Sequence, residues 1–174
     1  WGTDTLAAMR AGKPAEDAVR DVVAADAGRA QRQLSALDPA GGIFAFTGSE
    51  SIPAAGSRSG PNVIVAGNLL QSLGVIDACL DGFQTAKGSM PQRLMAALEA
   101  AEREGGDSRG VLSAALLVVS RTAAPLTLRI DKSATPLTDL RALHDAATSG
   151  RYADWAALVP TLEQPERADP YLDP

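Results

Sequence analysis

The sequence predicts an α+β domain, layered, with antiparallel strand pairs set among helices. Three observations lead there. Helical and strand-like segments come in pairs, in the order ααββ, a long loop, then βααββαα. A parallel doubly wound sheet would need strict alternation instead. Strand candidates also face each other across short turn signals, such as "DPAGG". Finally, 45% of the 174 residues are hydrophobic but only 4% are aromatic. Leu, Val, Ile and Ala must therefore build the core, and alanine-rich helices are favoured. The length suits one domain, read as residues 1–160, followed by an irregular, acidic, Pro-rich tail over 161–174.

Taken in order, "TDTLAAMRAG" predicts a short helix, with Thr3 or Asp4 to cap its start and Gly12 to end it. "KPAEDAVRDVVAADAG" predicts a second helix. Pro14 suits its first turn, Glu16 and Asp17 suit its positive end, and Gly28 stops it. Strands are expected at 31–37 and 43–47 around the Asp38–Gly42 turn. Residues 48–61, rich in Gly, Ser and Pro, read as loop, and "NVIVAG" over 62–67 reads as a short strand. Helices are expected at 73–86 and 90–104, the second burying a face made of Met90, Leu94, Leu98 and Ala101. "VLSAALLVV", 111–119, is apolar on both faces and predicts a central strand covered on both sides. "LTLRI", 126–130, pairs with it, and helices at 136–148 and 151–158 complete the domain.

Composition excludes several functions. The net charge of −5 and the lack of a basic cluster argue against non-specific nucleic-acid binding. No apolar run reaches the ~20 residues of a membrane span. The chain shows no secretory leader. It opens on Trp1 where a translated start would carry Met, so its N-terminus reads as processed, truncated or incompletely represented. The single cysteine, Cys79, rules out an intramolecular disulfide and reads as a small buried hydrophobe. That fits a reducing, cytoplasmic setting. One Cys and one His make a conventional zinc site improbable. His144, in "LRALHDAATSG", reads as a solvent-facing helix residue. No phosphate-binding or nucleotide-binding glycine motif and no nucleophile elbow is present. No metal or cofactor is expected.

What remains is a set of polar residues at strand ends: Arg32 with Gln33, Thr47 with Ser49, Asn68, and Asp107 with Arg109. Each has a bland reading as a solvated strand end, a turn or a cap. Together, on a layered sheet, they form a candidate rim, because loops on a rigid scaffold carry function. The substrate-binding candidates are Arg32, Thr47, Asn68, Asp107 and Arg109. Asp107 and Arg109 admit two roles. The arginine fork can take a substrate carboxylate while Asp107 orients it, or the pair can simply lock the loop that feeds the following strand.

Several motifs in register carry a resemblance. Arg32–Leu34, Asp38–Gly41, Ala45–Gly48, Gly67–Asn68 and Gly105–Gly110 ahead of Ser113–Leu116 resemble a bacterial family of unknown function, DUF1028. The similarity runs to about residue 145. It implies an Ntn (N-terminal nucleophile) hydrolase-like fold, a four-layer αββα sandwich of two antiparallel sheets. It also implies amide cleavage by a Thr, Ser or Cys whose own α-amine is the base. Family members carry strands and a Thr-Asn-Pro type segment ahead of the stretch that matches Trp1–Leu6, and this chain lacks them. The resemblance therefore puts the candidate nucleophile outside this chain and leaves strand edges for a partner, either a second copy or the chain's own N-terminal fragment. Ser51 stands where the family often has Cys, and Leu112 where it often has Gln. The implied function is hydrolysis of a small amide or amino-acid conjugate. The alternative is a non-catalytic binding or assembly module on the same fold.

Overall fold

The computed structural model describes residues 1–169. These contain helices α1 (Gly2–Arg10), α2 (Ala15–Ala24), α3 (Gly74–Thr85), α4 (Met90–Arg103), α5 (Pro136–Ala147) and α6 (Gly150–Ala156). The strands are β1 (Gln33–Leu37), β2 (Ile43–Thr47), β3 (Gly56–Gly60), β4 (Val63–Gly67), β5 (Ala114–Val118) and β6 (Leu126–Ile130). Among the described residues they form three two-stranded antiparallel sheets, β1–β2, β3–β4 and β5–β6. The described residues divide into two compact units, one of residues 1–86 and 96–110, the other of 87–95 and the residues from 111 on, with the boundary inside α4.

In the first unit α2 lies on the β1–β2 hairpin. Alternation explains it: Leu34 and Ala36 of β1 stand opposite Phe46 and Phe44 of β2, so all four project from one face. Ala15, Val19 and Val23 of α2, four residues apart, meet that face and form a core cluster with Ala36. Trp1 and Met9 add to it, with the Trp1 ring edge-on to Phe46 at 6.0 Å. β2 in turn touches β3 and β4, β1 touches β4, and α3 lies on β3 and β4. Gly82 of α3 sits where a methyl would press on Ala96, Ala97 and Ala100 of α4, a close approach that only glycine permits.

The expected loop at 48–61 contains a strand. β3 is "GSRSG", a composition poor in strand formers. It exists because β4, "VIVAG", offers a complete antiparallel register from Gly56↔Gly67 to Gly60↔Val63. Pro61 and Asn62 close the turn, with Asn62 at φ +57°, as the third position of a type II turn requires. β1 begins at Gln33 and not at 31, because Arg29–Gln31 make a 3₁₀ turn. In α4 the buried side chains are Met95 and Ala97, whereas Met90 is 48% exposed and Leu94 and Leu98 are half-buried.

In the second unit α5 covers the β5–β6 hairpin. Leu116 and Leu128 are directly paired, and both are buried. Each such burial stabilises by about 1.5–3 kcal/mol. Leu137, Leu140 and His144 are buried on α5. His144 thus departs from its expected solvent-facing position. Its spacing from Leu137 and Leu140, at steps of three and four, puts it on the buried stripe, and its Nδ1 reaches Asp145 Oδ1 at 3.0 Å. β5 also departs from expectation. Among the described residues it has one neighbour, β6, and one covered face, and Leu117 is 63% and Val119 72% exposed. Of the expected irregular tail, residues 161–169 hold no helix or strand, and 170–174 lie outside the described residues. No helix among the described residues is long and apolar enough to cross a membrane.

Candidate functional site

The site is assembled from one end of the two hairpins in the first unit. Hydrogen bonds Gly48 N–H to Arg32 O and Asp38 N–H to Gly42 O make 32/48 and 38/42 hydrogen-bonded pairs. By alternation Gln33/Thr47 is a non-bonded pair whose side chains approach closely. The Gln33 amide Nε2 donates to Thr47 Oγ1 at 2.9 Å, to the Gly56 carbonyl at 3.0 Å and to the Gly67 carbonyl at 3.1 Å. Gly56 and Gly67 are opposite each other in β3–β4. One side chain therefore ties the end of the first hairpin to the end of the second.

The chain beyond Gly67 extends this rim. Asn68 is exposed, and its side chain has no hydrogen bond among the described residues. Leu69 and Leu70 then run antiparallel to residues 106–108. Leu70 is bridged to Asp107, Gln71 N–H donates to Gly106 O at 2.9 Å, and Ser108 N–H donates to Leu69 O at 2.8 Å. The pairing ends there, because Gly110 N–H bonds back to the Asp107 carbonyl at 2.9 Å and turns the chain. Leu69 N–H and Leu70 N–H bond the carbonyls of Ile52 and Ala54, which bring the 48–55 loop alongside.

Asp107 and Arg109 close on each other. Arg109 Nε donates to Asp107 Oδ1 at 3.0 Å, its Nη2 to Oδ2 at 2.7 Å, and its backbone N–H to Oδ1 at 2.8 Å. The side-chain and backbone donors of Arg109 pull the Asp107 carboxyl down to a pKa of about 2. Both oxygens of Asp107 and two donors of the arginine fork are thus occupied within the loop.

Arg32 belongs elsewhere. Successive strand residues point to opposite faces, so Arg32 turns away from the Gln33 side. Its Nε binds Asp26 Oδ2 at 2.9 Å, and its guanidinium stands 5.7 Å from the Trp1 ring centre. Thr47, Asn68 and Asp107 therefore follow one another along the joined hairpin ends, with Arg109 bonded to Asp107 in the adjoining turn, while Arg32 sits on the helix-covered face. Gln33 holds the rim together. Its signal was the same alternation: with Leu34 and Ala36 committed to α2, residue 33 must face the second hairpin.

Asp38 explains another motif. Its Oδ1 accepts Ala40 N–H and Gly42 N–H, both at 2.9 Å, and its Oδ2 accepts the N–H of Ala15, first residue of α2, at 2.9 Å. It closes the β1–β2 turn and caps a helix 23 residues upstream. These backbone donors hold its pKa below the ordinary carboxylate value. Gly48 is equally constrained, since a methyl there would overlap the backbone carbonyls of Arg29 and Ala30. Cys79 on α3 is half-buried, and burial raises its thiol pKa. No group of three or more His, Cys, Asp or Glu among the described residues could hold a metal ion.

These constrained positions lie within the residues that a family model matches. The family model "Family of unknown function (DUF1028)" matches residues 1–140. The chain belongs to the DUF1028 family. Among solved structures it is similar to the crystal structure of protein SPO2555 from Silicibacter pomeroyi, itself described by the DUF1028 model. The two are 43% identical, with a TM-score of 0.90, over 96% of this chain and 73% of that one. None of the curated proteins matches this chain. Within DUF1028, the Asp-x-x-Gly and Phe-Thr-Gly motifs of this member are the turn-and-cap aspartate and the close-packed glycine of one hairpin.

Proposed function

We propose that this DUF1028 chain is the larger part of an amide hydrolase of N-terminal-nucleophile type, acting on a small amide or amino-acid conjugate. The reading assigns the first unit to an αββα sandwich. The order of contacts supports it: α2 on β1–β2, that hairpin against β3–β4, and α3 on the far side. The nucleophile would come from residues outside these 174, with its α-amine as base. It would act at the rim that Gln33 ties together. Asn68 supplies free amide donors there for a substrate carbonyl or an oxyanion, and Thr47 and Arg109 border it. The rim is the observation that carries the reading, because it joins the ends of two hairpins where an extended substrate or strand can lie. We also propose a cytoplasmic protein that works as a homodimer or with its own N-terminal fragment, which light scattering and gel analysis of the native protein would read.

The test is hydrolysis of a panel of small amides by the complete native polypeptide. Turnover that is lost when an N-terminal Thr or Ser is changed to Ala, and lowered by Asn68→Ala without a fall in Tm, is expected. No turnover on any amide, with ligand binding retained, would favour the second reading, a binding or assembly module. One observation favours that second reading: Arg109 already has its carboxylate partner in Asp107.

A further inference from the structure

The side-chain amide of Gln33 meets more acceptors than it has protons. Its Nε2 carries two hydrogens, yet Thr47 Oγ1, Gly56 O and Gly67 O all stand within 3.1 Å of it. The two carbonyls can only accept. Thr47 carries a proton of its own, and an amide nitrogen cannot take it. That proton is therefore unspent inside the cluster, and the Thr47 hydroxyl donates to no acceptor among the described residues. The carbonyls also fix which way the Gln33 amide lies, because its oxygen set against theirs would be repelled. Gln33 Oε1 thus points away from them and accepts no hydrogen bond among the described residues. It is not sealed in, since the buried side-chain atoms left there without a partner are Thr5 Oγ1 and Ser51 Oγ.

Asn68 follows Gly67 directly and leaves its whole side-chain amide uncommitted. The rim thus offers a hydroxyl donor, a carbonyl acceptor and a free amide. The charged pair of the adjoining turn, Asp107 and Arg109, is committed to itself through both carboxylate oxygens. A ligand that suits this set is neutral and both gives and takes hydrogen bonds. A carboxylate only accepts, so it would meet Gln33 Oε1 with no proton to offer.

We propose that the rim selects an uncharged primary carboxamide. The carbonyl oxygen of that ligand accepts from the Thr47 hydroxyl and the Asn68 amide, and its N–H donates to Gln33 Oε1. This narrows the substrate class to the neutral amide, with Thr47 and Gln33 as the residues that set the selection. The inference rests on the hydrolase reading for the place of the substrate and not for the chemistry done there, so binding tests it without turnover.

The test follows the side-chain amide signals of Gln33 and Asn68 by nuclear magnetic resonance in the complete native polypeptide. The probes are propionamide, propionate and N,N-dimethylpropionamide. Propionamide is expected to shift both signals and to bind about tenfold more tightly than propionate, which has the charge, and than the dimethyl amide, which has no N–H. Thr47→Val should weaken propionamide about tenfold. It should leave Tm within about 2 °C, because the two Gln33 protons still have the Gly56 and Gly67 carbonyls. Propionate binding as tightly as propionamide would overturn the proposal, since Arg109 would then be releasing Asp107 to take a carboxylate. Equal binding of the dimethyl amide would overturn it by leaving Gln33 Oε1 without a role, and so would the absence of any shift with any probe. A large fall in Tm in Thr47→Val, with propionamide binding kept, would make Thr47 a structural acceptor only and overturn it too. Propionamide bound but no amide hydrolysed would sink the hydrolase reading and uphold this one. Hydrolysis confined to acidic amides would do the reverse.

Discussion

Asp38 and Asp107 both stand in Gly-rich turns, and both are held below the ordinary carboxylate pKa. They do different work. Asp38 is satisfied by backbone N–H groups, one of them 23 residues away, so it joins a hairpin turn to a helix start. Asp107 is satisfied by Arg109, two residues on, so it closes its own loop. The surroundings follow suit. The hairpin of Asp38 is locked by long-range contacts, including Gly48 against the Arg29–Ala30 backbone. The loop of Asp107 has Gly110 at φ +92° in open space. A depressed carboxylate pKa therefore does not by itself mark a functional group. What matters is whether its partners are distant backbone or an adjacent side chain.

The sharpest way to break this contrast is Gly48→Ala. The methyl meets backbone, which cannot swing aside, so a loss of about 3 kcal/mol or more is expected, or failure to fold. Urea denaturation followed by circular dichroism would measure it. A loss below about 1 kcal/mol would show that the hairpin is not locked there.

Next is Gln33→Leu. It leaves the Gly56 and Gly67 carbonyls without their side-chain donor, a cost of about 1–3 kcal/mol. Amide exchange of β3 and β4 should quicken with it. Unchanged exchange there would mean the hairpins are joined by other contacts. Gly110→Ala should cost only about 1 kcal/mol, from backbone conformation alone. A cost equal to that of Gly48→Ala would erase the difference between the two regions.

The acid limb of stability separates the aspartates further. Each has a folded-state pKa below its unfolded value, so its stabilisation is complete above about pH 4 and is lost as pH falls through the folded pKa. For Asp107 that loss extends down to about pH 2. Asp38→Asn and Asp107→Asn should each flatten urea midpoints measured between these limits. Asp38→Asn should also speed amide exchange at Ala15, and Asp107→Asn should not. Arg109→Lys is expected to have the smallest effect of all. The pair is 67% exposed on the arginine side, and exposed pairs contribute little. A clear fall in Tm would make Arg109 a structural clamp, whereas a loss of carboxylate binding with Tm intact would make it a ligand contact.

Much of this molecule could be read from residues alone. Periodicity found α1 to α6, and β1, β2, β4, β5 and β6, because each carries its own apolar face or β-branched run. The turn at Asp38 was legible from "DPAGG", and so was the family. Three features depended on partners distant in sequence. β3 has no strand propensity of its own and exists through the register that β4 offers. β5 is apolar on both faces, yet α5 covers only one, since coverage is set by what packs there and not by the strand. The rim likewise required Gln33, which meets Gly56 and Gly67 across gaps of 23 and 34 residues. Local sequence determined which segments are helices and strands, because backbone propensity and side-chain alternation are short-range. Only the tertiary structure decided that Thr47, Asn68 and Asp107 lie along one rim while Arg32 turns away, because that depends on which backbone groups from remote segments find each other's donors.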